Sequence, residues 1–116
     1  MSTKNDIKGI KGVTMTTGES KRTFQLEYTV KTANDEKAGM LPAGTSVDSV
    51  SDYAILDSDG TTISGVFDEA PTVSENIVTF ILNEPSTGVG HYTVWLETTL
   101  DSGEVRIRQL PMEVEA

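Results

Sequence analysis

The chain has 116 residues, no cysteine, and nine Lys plus Arg against eighteen Asp plus Glu, a formal charge of -9. That length sets a single domain able to bury a core without staples, and the missing cysteines exclude disulfides and thiolate metal sites. The acidic balance repels phosphate backbones and argues against nucleic acid, and no apolar run reaches the length of a membrane span.

Residues 1–11 read as a polar arm, locally basic through Lys4, Lys8 and Lys11 against Asp6. The arm is either a frayed terminus or a tail that orders on an acidic partner surface. Its first residues lack the apolar segment of a secretion signal, which predicts synthesis in the cytoplasm without export. Residues 12–116 form the domain. Gly12 to Thr17 is a first strand with Val13 and Met15 facing in. Thr23 to Thr32 alternates cleanly: Phe24, Leu26, Tyr28 and Val30 share one face, and Thr23, Gln25, Glu27, Thr29 and Lys31 the other.

Ala33 to Ser46 is a long irregular segment rich in turn residues. Met40 and Leu41 at its middle are either an exposed contact or a lid on one end of the core. Val47 to Leu56 is a further strand. Its run Tyr53-Ala54-Ile55-Leu56 requires cover on both faces or a bulge. Asp57-Ser58-Asp59-Gly60 reads as a hairpin turn with glycine at the positive-φ position, leading into a strand over Thr61 to Phe67. A calcium loop would need further oxygen ligands after Asp57 and Asp59, and no such series follows. Asp68 to Asn76 is a polar connection, and Ile77 to Leu82 is a strand with Val78, Phe80 and Leu82 inward.

The organising strand is Gly90 to Glu97, entered through Gly88 and Gly90. Tyr92, Val94 and Leu96 fall on the core face, and His91, Thr93, Trp95 and Glu97 on the outer one. After a hairpin at Asp101-Ser102-Gly103-Glu104, Val105 and Ile107 are expected inward and Arg106 and Arg108 outward. Pro111 is expected to interrupt the ladder, at an edge or a bulge, before Met112 and Val114 resume the core face. On this reading Trp95 shares its face with Arg106 and Arg108. It is then either covered by stacked arginines or an interface anchor.

Catalytic chemistry finds little support. His91 is the sole histidine and points outward beside a turn, where a surface role outweighs a nucleophile–base pair. The expectation is a non-enzymatic protein with no cofactor and no metal. Gly-x-Tyr-x-Val-x-Leu over Gly90 to Leu96 resembles strand F of immunoglobulin-like domains, with Val94 where an antibody domain carries its second framework cysteine. The order of features also resembles the small immunoglobulin-like modules of tailed-bacteriophage virions, such as decoration proteins, head fibres and upper-baseplate domains. The features are the strand Phe24 to Val30, a long loop, Asp57 to Thr61, Asn76 to Phe80, Gly90 to Val94 and Asp101 to Val105.

The resemblance implies an antiparallel immunoglobulin-like β-sandwich of about seven strands. It implies a structural or accessory virion protein, a capsid decoration or head/tail attachment component that docks on other virion proteins or on further copies of itself. The docking candidates are Trp95, Arg106, Arg108, Met40, Leu41, Lys4, Lys8 and Lys11. The alternative is a carbohydrate-binding or adhesive module with Trp95 and Tyr53 as stacking platforms.

Overall fold

The computed structural model describes residues 12–28, 41, 42 and 44–116. These residues form eight strands: β1 (Val13–Thr16), β2 (Arg22–Glu27), β3 (Val47–Leu56), β4 (Thr62–Ile63), β5 (Thr72–Ser74), β6 (Ile77–Leu82), β7 (Gly90–Leu100) and β8 (Val105–Glu115). They make a five-stranded sheet in the order β1-β8-β7-β3-β4 and a three-stranded sheet in the order β2-β6-β5. The protein is all-β, and its two sheets share one core, an arrangement compatible with a β-sandwich.

Alternation dictates which residues reach that core. Leu26, Val78, Phe80 and Leu82 come from the smaller sheet; Ile55, Tyr92, Val94, Leu96, Leu110, Met112 and Val114 come from the larger one. β7 buries every second residue from Tyr92 to Leu100, the pattern of a central strand with one dry face. Phe24 and Phe80, directly paired between β2 and β6, stack at 5.7 Å, and edge-on packing of Phe67 against Tyr53 at 4.8 Å closes one side of the core.

Several turns are held by single side chains. Gly60 has φ +85, as a glycine in this hairpin must. The Asp57 carboxylate accepts the N–H groups of Asp59 and Thr61, both at 2.9 Å. Between β5 and β6, Glu75 and Asn76 both take positive φ, 51° and 68°. Two successive residues at positive φ make the turn twist with its strands. The Asn76 side chain then accepts the Val47 N–H at 2.8 Å, tying the smaller sheet to the start of β3.

The structure departs from the sequence expectation at four places. β1 pairs with β8 in parallel, Val13 opposite Met112, so the larger sheet is mixed rather than wholly antiparallel. The strand expected over Thr61 to Phe67 is split. Only Thr62 and Ile63 pair with β3; the chain turns at Gly65, φ +83, and Phe67 bridges to Leu82 in the other sheet. The polar connection contains a short strand, β5, whose single partly buried residue Val73 gives almost no hydrophobic signal. In the Val47 to Leu56 strand the bulge alternative holds instead, as register shifts between Val47 and Ser49 and between Val50 and Asp52. Finally, Pro111 does not break the β7–β8 ladder and brings no bulge; it sits where β8 is an edge on its other side, since β1 pairs only from Met112 onward. β8 pairs with β7 without a shift from Val105 opposite Thr99 to Val114 opposite Gly90.

Candidate functional site

The unbroken β7–β8 ladder decides the outer face of the larger sheet. Met112 and Val114 are buried, so period two carries Leu110, Arg108 and Arg106 to the same side. Val105, Ile107 and Gln109 therefore face outward, the reverse of the expected phase. Val105 is 51% exposed and Ile107 46%. Arg106 and Arg108 are only half-buried but lie on the inner side, opposite Thr98 and Leu96. Arg106 approaches Glu104 at 3.6 Å, and the charge of Arg108 is felt at the Tyr28 hydroxyl. Neither arginine can stack on Trp95.

Trp95 itself sits where its parity puts it, half-buried on the outer face. Its direct partners across the sheet are Gln109 on β8 and Ala54 on β3. Thr93 and Glu97 flank it along its own strand, and Ile107 and Pro111 are its diagonal neighbours. The rows beyond it read Thr93 between Pro111 and Leu56, then Glu97 between Ile107 and Asp52, then Thr99 between Val105 and Ser49. The face is thus an apolar band edged by carboxylates.

Those carboxylates have neutral partners. Glu97 accepts a bond from the Ser51 hydroxyl at 3.2 Å, and Asp52 accepts its neighbour's N–H, that of Tyr53, at 2.8 Å. Asp52 and Glu97 stand directly opposite one another. Among the described residues no Lys or Arg of these strands shares their side of the sheet. His91, the one imidazole of the face, pairs with Glu113 at the far end and is exposed.

The entry to β7 is fixed by a buried phenol. The Tyr92 hydroxyl donates to the Gly88 carbonyl at 2.7 Å. With that proton committed, the Thr87 hydroxyl at 2.6 Å is the donor to the Tyr92 oxygen. A second phenol, Tyr28, is buried with no hydrogen-bond partner among the described residues. Burial raises its pKa above the ordinary tyrosine value, only partly offset by the Arg108 charge.

The remaining candidates separate. Leu41 is fully buried in the core, so it lids the sandwich and is not a contact residue. Met40, Lys4, Lys8 and Lys11 lie outside the described residues. Tyr53 pairs with Leu96 and so belongs to the inner side, packed on Phe67 at the sheet's margin. It therefore points away from Trp95, and the two rings do not form one sugar-stacking platform. A groove of ≈ 260 Å³ beside Tyr53, lined by Ile63, Val66, Phe67 and Glu69, is shallow and has no convergent set of polar groups. Among the described residues no three His, Asp or Glu side chains gather as a metal site, and both bonds from Asp57 go to its own loop.

Sequence reasoning missed Val105 and Ile107 as surface residues. The signal that could have found them is the parity of Met112 and Val114, carried backward through Pro111. No protein-family model matches the chain, and a search of curated proteins finds no match either.

Proposed function

We propose that this chain is a non-enzymatic structural module that acts by docking on other proteins, as an accessory component of a tailed-bacteriophage virion. The observation carrying the docking role is the outer face of the β1-β8-β7-β3-β4 sheet, where Val105, Ile107 and Trp95 keep apolar surface in water. Scattered apolar residues are ordinary on a surface, but an aligned band across neighbouring strands marks an interaction site. The virion assignment rests on the resemblance to immunoglobulin-like virion modules.

Two features favour the immunoglobulin-like form. The order β2-β6-β5 against β8-β7-β3-β4 follows the B-E-D and G-F-C-C′ arrangement of such domains, and the Tyr92 bond to Gly88 is the tie of a tyrosine corner. The test is quantitative mass spectrometry of gradient-purified phage particles produced from the source genome. The expected result is this chain at a fixed copy number per particle, reduced at least tenfold by Ile107→Glu. Its absence from the particles would overturn the virion role.

A further inference from the structure

We propose that the outer face of the larger sheet takes a cationic partner, a protein segment in which lysine or arginine alternates with apolar side chains. This rests on the docking role above and adds the chemistry of the partner. The apolar part of the match is the band of Val105, Ile107, Trp95 and Pro111. The charged part is Asp52 and Glu97, directly opposed across β3 and β7. Like charges facing each other across a sheet work against its pairing. A cation placed between them turns that repulsion into attraction.

The phase of β8 is what leaves the face acidic. Because Arg106 and Arg108 turn to the inner side, they cannot neutralise Asp52 or Glu97 from within the face. The same charge pattern selects among occupants. A second copy stacked face to face would offer Asp52 and Glu97 another acidic face with no described Lys or Arg on it, on a chain already at -9. Nucleic acid and anionic lipid would meet carboxylates. A basic, apolar protein segment meets both halves of the surface with complementary chemistry.

Trp95 is the only tryptophan in the chain, so its fluorescence reports directly on this face. The probes are three short synthetic peptides: lysine alternating with leucine, lysine with serine, and glutamate with leucine. Titrated into the full chain, the lysine–leucine peptide is expected to give a saturable shift in Trp95 emission that weakens as salt is added. The lysine–serine peptide should bind at least tenfold more weakly, and the glutamate–leucine peptide should give no shift. Ile107→Ser should weaken the first peptide several-fold. The double charge reversal Asp52→Lys with Glu97→Lys should transfer preference to the glutamate–leucine peptide.

Equal response to both charge types, or no response to any peptide, would overturn the inference. Concentration-dependent dimerisation abolished by Ile107→Ser would make a second copy the occupant and overturn it as well. So would a change in peptide-free Trp95 emission on replacing Lys4, Lys8 and Lys11 by serine, which would assign the face to the chain's own arm. Loss of particle incorporation by Ile107→Glu without peptide binding would leave the docking role standing and remove only the cationic partner.

Discussion

Replacing Tyr92 by phenylalanine removes one oxygen and leaves the ring's packing in place. The lost oxygen makes two short bonds, donating to the Gly88 carbonyl at 2.7 Å and receiving the Thr87 hydroxyl at 2.6 Å. A net hydrogen bond contributes roughly 0.5–1.5 kcal/mol, so the upper bound is about 3 kcal/mol. Thr87 is exposed and Gly88 only half-buried, so water can reach both groups once the phenol oxygen is gone. The expected loss is therefore about 1–2 kcal/mol, which for a domain of this size lowers Tm by about 4–8 °C. Equilibrium urea unfolding followed by Trp95 fluorescence measures it directly. A double-mutant cycle with Thr87→Val should show coupling of about 0.5 kcal/mol or more, since both changes remove the same bond. A Tyr92→Phe protein within ~0.3 kcal/mol of wild type would refute the reasoning and reduce Tyr92 to an ordinary core ring.

Tyr28→Phe should behave oppositely: deleting a buried hydroxyl that has no partner among the described residues is expected to leave stability unchanged or raise it by up to about 1 kcal/mol in the same urea assay. Tyr28 also predicts an alkaline effect. Its folded pKa is raised, so above the ordinary value of 10.0 the unfolded chain releases this proton first, and stability falls as pH rises from there; Tm measured against pH should lose part of that slope in Tyr28→Phe. At the β5–β6 turn, Asn76→Gly loses only the bond to Val47, whereas Asn76→Ala must also hold φ 68 without it, so alanine should cost about 1 kcal/mol more than glycine by urea unfolding. Asp57→Ala should cost about 1 kcal/mol through the two loop bonds, and millimolar calcium should leave the wild-type Tm unmoved.

Period-two alternation made most of the core legible from sequence. The inward set of β7 and β6 stands as read, because each strand is uninterrupted and one of its faces is dry. Tyr92 was legible for the same reason, together with the glycines before it. β5 and the early end of β4 at Ile63 were not, since pairs two or three residues long are set by what lies beside them rather than by their own sequence. Leu41 could have been contact or lid; only the tertiary arrangement, which buries it completely, separates the two.

β8 was misread for a more specific reason. With Val105 and Ile107 inward, Met112 and Val114 could follow only if the phase slipped at Pro111. A proline lacks an N–H, but a strand position whose N–H would point away from its partner loses nothing. Pro111 pairs with Thr93 in an unbroken ladder, so no slip occurs and the whole strand keeps one phase.

Under the proposed docking role, that phase also sets the sign of the partner. Burying the remaining exposed halves of Val105 and Ile107 yields roughly 1 kcal/mol each, with a comparable term for Trp95. Covering Asp52 and Glu97 with a neutral apolar surface would cost several kcal/mol per unpaired carboxylate. The penalty exceeds the gain, so a purely apolar partner is rejected although the face is rich in apolar atoms. A partner carrying cations turns the same carboxylates into paired groups and keeps the hydrophobic term. Had Arg106 and Arg108 faced outward, the charges would have been balanced within the face and this selectivity lost. One methyl-rich strand read in the wrong phase would thus have led to a different proposed partner, with every residue identity correct.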